Sequence, residues 1–126
     1  MLALLAISAA YVGGWALFAP SYFYRSFPGF GLHWVDVDGP YNEHLVRDVG
    51  GLYLALLVVS AFALLPTATS HLRHIAGAAW AVFSAPHLGY HLAHLDALTS
   101  SNAVLEATLL SLTLLGAVLL LLPERG

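Results

Sequence analysis

The sequence predicts an all-α integral membrane protein, a single domain over residues 1–126 built as a bundle of four transmembrane helices. Three observations carry that prediction. Hydrophobic residues make up 60% of the chain and charged residues only 9%, where a soluble domain carries about 25% charged residues to cover its surface. Apolar runs of membrane-crossing length recur along the chain, each punctuated by proline or a polar stretch. None of these runs alternates with period two, so the wall of a β-barrel is not supported.

The first run, Leu2 to Pro20, is apolar except for Ser8 and predicts a helix over 2–20. About 20 residues at about 1.5 Å each rise about 30 Å, the depth of the hydrocarbon core. The run lacks a basic leader and exceeds the usual apolar core of a signal peptide, so it is read as a span. Residues 21–42 form a loop on what we term side B, rich in aromatic residues, glycine and acids. The second helix, 43–65, opens at Tyr41-Asn-Glu-His-Leu-Val-Arg-Asp48. Asp38 is its expected capping acceptor, with Pro40 in the first turn. Pro66 ends it, and a polar link over 67–74 holds His71, Arg73 and His74. The third helix, 72–95, is apolar without interruption from Ile75 to Pro86, after which histidines recur every three or four residues. The fourth, 103–122, is closed by Pro123.

Four crossings put both termini on one side, side A, with Arg73 and Arg125; Arg25 and Arg47 fall on side B. Lysine and arginine therefore tie between the two sides, and the positive-inside rule does not decide by count. Arg47 sits within a helix rather than a loop, which tips side A toward the cytoplasm. An internal echo links Trp15-Ala-Leu-Phe-Ala-Pro20 with Trp80-Ala-Val-Phe-Ser-Ala-Pro86. Aligning Pro66 with Pro123 lays the second run on the fourth, as two repeated hairpins would.

Ionisable side chains gather near side B. On a helix Glu43 faces Arg47 and His44 faces Asp48, while Gly50 and Gly51 leave room for a neighbouring helix. His87, His91 and His94 stand at i, i+4 and i+7, one stripe of the third helix. Glu106 is the only ionisable residue inside the fourth run. Such residues face the bundle interior and pair, because lipid does not solvate them. One reading is a metal site, that of a small oxidoreductase or hydrolase in its enzymatic version, with His44, His87 and His91 as ligands and Glu43, His94 or Glu106 completing the shell around a transition metal ion such as zinc or iron. Asp48 would orient His44 and Arg47 would balance buried carboxylates. A haem between His44 and His87 or His91 is a lesser cofactor reading, since nothing in the spacing selects it. A pocket for a small molecule without metal is a third. The plain alternative is an interlocked polar cap in a non-catalytic subunit of a larger membrane complex, or in a homo-oligomer, with the aromatic side-B segment as its contact surface.

Other residues point to simpler roles. Tyr22, Phe23, Tyr24, Phe27, Phe30 and Trp34 fit an interfacial aromatic belt better than a ligand cage. His33, Asp36 and Asp38 could cap the cluster from above, but fit a solvated loop better. Ser60, Ser84, Ser111 and Thr113 fit hydroxyls bonded back to their own helices. The absence of cysteine excludes disulfides and thiolate metal sites, and a net charge of -3 without a basic stretch argues against nucleic acid. No motif of a soluble enzyme appears.

The segments Asn42-Glu-His-Leu-Val-Arg-Asp-Val-Gly-Gly-Leu-Tyr-Leu-Ala-Leu56 and Pro86-His-Leu-Gly-Tyr-His-Leu-Ala-His-Leu-Asp96 resemble small actinobacterial membrane proteins that are broadly DoxX-like. The shared feature is an arginine followed by paired glycines at the opening of the second helix, here Arg47, Gly50 and Gly51. The resemblance implies four helices in a membrane, here a bacterial plasma membrane. It implies no activity and supplies no catalytic residue, and the histidine stripe is not a feature of the wider DoxX-like group.

Overall fold

The computed structural model describes residues 1–123, and Arg125 lies outside the described residues. Its order is α1 (Leu2–Phe18), α2 (Pro20–Ser26), β1 (Pro28–Gly29), β2 (Leu32–His33), α3 (Glu43–Leu64), α4 (Ser70–Ala93), a short 3-10 turn (Leu95–Ala97) and α5 (Ser100–Leu119). The chain is all-α apart from the two-residue strands of one small antiparallel hairpin. Among the described residues two helices, α3 and α5, are long and apolar enough to cross a membrane, and α1 with α2 makes a third if the bent pair is one span.

Each helix ends for a local reason. Pro20 has no N–H to continue α1, and the axis turns by 119° between α1 and α2. The sequence reading places residues 21–42 wholly in a loop; the proline at the first position of α2 instead starts a new helical turn, as proline at that position favours. The Arg47 guanidinium donates to the Leu17 carbonyl, one of the acceptors left open where α1 stops, and its Nε is held by Glu43 Oε1 at 2.9 Å. The cap of α3 is Asn42, whose Oδ1 accepts from Leu45 N at 3.2 Å, in place of the expected Asp38. Thr69 Oγ1 caps α4, so His71, Arg73 and His74 ride on its first turns rather than in a link.

The four long helices form two closely packed pairs, α1 with α3 and α4 with α5. Both pairs approach through glycine. A Cβ on Gly50 would lie 2.5 Å from the Leu17 backbone nitrogen, and one on Gly13 would lie 3.0 Å from the Gly50 carbonyl oxygen. A Cβ on Gly77 would lie 3.0 Å from the Ala117 carbonyl oxygen. Gly51 and Gly89, by contrast, meet nothing within 4 Å, so only the first of the paired glycines serves a helix contact. Leu2, Ala63 and Ala76 join the pairs at side A. In mid-bundle Leu5, Ala9, Tyr53, Leu56, Trp80 and Ala117 form the core, and Trp80 Nε1 donates to Ser60 Oγ at 2.9 Å across α4 and α3. Ser60 therefore serves another helix, where a bond within its own was expected. Large apolar side chains such as Ile7, Val58, Val82 and Val104 are exposed around the bundle, as a lipid-facing surface requires.

The two tryptophans of the internal echo stand in different surroundings. Trp80 is fully buried in the core, whereas Trp15 packs among Tyr11, Tyr22, Phe23 and Phe27 at side B. Pro20 opens a helix and Pro86 lies inside one.

Candidate functional site

A cavity of about 1090 Å³ lies between the two helix pairs. Its wall on α4 is one helical stripe: Trp80, Phe83, Ser84, His87, Tyr90 and His91. Leu4, Leu5, Ser8, Tyr11 and Val12 of α1 line it, with Leu45, Val46, Val49 and Tyr53 of α3. The α5 side is Glu106, Leu109, Leu110, Leu112 and Thr113. Eleven residues separate Trp80 from His91, which at about 1.5 Å each makes this an elongated chamber of about 16 Å along α4. Its inner part is apolar, and its ionisable groups stand toward side B.

The ionisable end is built on α4 and α5. His91 Nδ1 lies 3.1 Å from Glu106 Oε1, and the two side chains are 15% and 5% exposed. His87 stacks on Phe83 with ring centroids 5.1 Å apart and meets the His91 ring edge-on at 4.6 Å. Phe83 in turn meets Tyr53 at 4.9 Å. An unbroken column of rings thus runs from the Trp80 core to the buried carboxylate. Burying Glu106 among apolar groups is tolerable only because an imidazole answers it.

The side-B segment folds down over this end. Phe27, the Gly29-Phe30-Gly31 turn and Trp34 are held by Trp34 N donating to the Phe27 carbonyl at 3.0 Å. Tyr11 Oη donates to the Pro28 carbonyl at 2.9 Å, and Tyr24 Oη to the Gly39 carbonyl at 2.5 Å. These bonds bring Tyr24, Phe27, Trp34 and Asp38 into the cavity wall. The aromatic segment is therefore divided: Tyr22 and Phe30 are exposed as a belt would be, while Phe23, Tyr24, Phe27 and Trp34 line the chamber. Asp38 stays in an exposed loop, as expected, and stands at the rim of the cavity. Its carboxyl is pushed above the ordinary value, chiefly by partial burial, with His91 acting against that rise, Glu106 adding to it and His94 opposing it. His33 Nδ1 and Asp36 Oδ2, 3.4 Å apart, pair with each other instead.

Two polar atoms of the wall are buried and have no partner: Trp34 Nε1 and Ser84 Oγ. Their residues are only 6% and 3% exposed. Ser84, expected to bond back to its own helix as Thr113 does to Leu109, makes no such bond. Sequence reasoning missed Trp34 and Ser84 as parts of this site, and set Asp38 over the cluster only as the lesser alternative to a solvated loop. Ser84 alone carried a signal, since it stands three residues before His87 on the same face.

The expected ligand shell is only partly brought together. His87, His91 and Glu106 meet. His44 does not line the cavity; it is 81% exposed and lies 3.2 Å from Asp48 Oδ2. Glu43 holds Arg47, and His94, at the end of α4, stacks on Tyr90 at 4.1 Å. Among the described residues no three histidine, aspartate or glutamate side chains are arranged to hold a metal ion. The pairs Glu43–Arg47 and His44–Asp48 form as surface pairs on α3, and Arg47 with Gly50 secures the end of α1.

The chain matches no family model, no curated protein and no solved structure.

Proposed function

We propose that this chain is a four-span membrane protein that binds a small amphipathic molecule in the chamber between its two helix pairs, with the polar end of that molecule toward side B. The observation that carries the reading is the chamber itself. At about 1090 Å³ it is of ligand size, its inner wall is apolar, and a buried His91–Glu106 pair stands at one end beside two unpartnered polar groups.

The four-span topology rests on α4. Its histidines keep it outside a purely compositional test, yet its 24 residues are long enough and it lies against both α3 and α5. The helix α2, turned by 119° from α1, then lies along side B, with Tyr22 and Arg25 exposed at the interface.

The natural chain has no cysteine, so topology is directly testable. Single substitutions Thr67→Cys and Thr99→Cys, probed in intact cells with a membrane-impermeant maleimide, are expected to label from opposite sides. Labelling from the same side would remove α4 as a span. For binding, dodecanol brominated at its chain end is titrated into purified protein, because bromine quenches the emission of Trp34 and Trp80 in the chamber wall. Saturable quenching is expected. Quenching that grows only in proportion to the detergent-phase concentration would overturn the binding reading and favour the accessory-subunit one.

A further inference from the structure

We infer that the occupant of the chamber is an amphipathic organic cation: an amine or quaternary ammonium joined to an apolar chain through a group that accepts a hydrogen bond. The inference rests on the binding reading above and goes on to name the ligand class.

Charge in the wall is one-sided. Asp38 and Glu106 line the chamber, and among the described residues no lysine or arginine does. Arg47 points away, to Glu43 and the Leu17 carbonyl. The groups beside the two carboxylates are imidazoles: His91 against Glu106, His87 against His91 with ring centroids 4.6 Å apart, and His94 near Asp38. Two imidazolium rings at that distance repel one another, which disfavours both carrying charge together. The ionisable end therefore presents two carboxyl groups with no permanently cationic side chain in the wall. An anionic head would be repelled there, and a cationic head is attracted.

The rest of the wall suits such a head. Tyr24, Phe27, Trp34 and Tyr90 surround the side-B end, and aromatic faces attract a quaternary ammonium. Toward side A the wall becomes aliphatic, with Leu4, Leu5, Leu109 and Leu112, which suits a chain. A second, independent observation points to a ligand. Trp34 Nε1–H is a donor with no acceptor, and Ser84 Oγ has no partner of any kind, although both are buried in the wall. Buried polar groups are rarely left so. An ester or ether oxygen between head and chain would accept from one of them.

The test compares lauroylcholine with neohexyl laurate, its uncharged carbon isostere, as competitors of the brominated dodecanol. Shape and chain are the same and only the charge differs. Lauroylcholine is expected to relieve quenching at a concentration lower by about tenfold or more, an advantage that one desolvated charge contact with aromatic support supplies. Asp38→Asn, a loop change that touches no helix contact, is expected to remove a large part of that advantage. Glu106→Asp keeps the charge and is expected to preserve it, whereas Glu106→Gln is expected to reduce it. Equal potency of the two esters would overturn the cation inference while leaving the chamber a binding site. If neither ester competes and the brominated alcohol does not saturate, the binding reading falls as well.

Discussion

The two helix pairs are fastened at opposite ends. α1 and α3 touch backbone to backbone near side B, where Gly50 lies against Leu17 and Gly13 against Gly50. α4 and α5 touch near side A, where Gly77 lies against Ala117, and toward side B they are joined through side chains, His91 to Glu106. Helices in lipid associate mainly by close packing of small residues, since the surrounding chains are as apolar as leucine. Where α4 and α5 lack that contact, space is left for long polar side chains and for a cavity. The difference teaches that the site is a consequence of where the glycines are, as much as of where the histidines are.

The largest test of this contrast is steric. Gly50→Val puts a side chain into the α1 backbone and is expected to cost about 3 kcal/mol or more, enough to prevent folding. Gly51→Val, at an exposed position with open space around it, is expected to change stability little. Both are measured by unfolding midpoints in a denaturing detergent. Comparable losses at both positions would break the contrast between the pairs.

Next in size is the side-chain join. His91→Ala leaves Glu106 buried without its partner and is expected to cost about 3 kcal/mol, as breaking a buried pair does. Substituting both residues with leucine is expected to recover most of that loss, in the same unfolding assay. A single variant as stable as the natural chain would show that α4 and α5 do not depend on this bridge.

A smaller effect separates two tryptophans. Trp80→Phe removes the donor to Ser60 and is expected to cost about 1–2 kcal/mol beyond the change in packing. Trp34→Phe removes a donor that has no acceptor, so in the ligand-free protein it is expected to be neutral or mildly stabilising. Equal losses at the two sites would mean that Trp34 has a partner in solution.

The smallest effect concerns pH. The Asp38 carboxyl is raised in the folded chain, so the folded form holds that proton at a pH where the unfolded chain has lost it. Its contribution therefore disfavours the fold above this range and disappears as pH falls below the ordinary carboxylate value. Asp38→Asn is expected to be slightly more stable than the natural chain at neutral pH. The difference should vanish on acidification, when unfolding midpoints are compared at neutral and acid pH.

Much of the fold was legible in the sequence because lipid allows few backbone solutions. The long helices lie close to the apolar runs that predict them, and the all-α class follows from composition and run length. Spacing alone put His87 and His91 on one face, and Glu106 stood out as the sole ionisable group in its run. Spacing also paired Glu43 with Arg47 and His44 with Asp48, since i and i+4 are neighbours on any helix. What spacing left open was whether those pairs turn toward the histidine stripe, and they do not. Depth in the membrane is set by connectivity, but rotation about each helix axis is set by packing. The sequence by itself determined how much of the chain is helical and which groups share a turn. Only the tertiary structure decided that Gly13 and Gly77 set the helix crossings, and that a folded-down segment carries Trp34 and Asp38 to Glu106. It did so because close approach between helices depends on shape across distant residues, which no local pattern records.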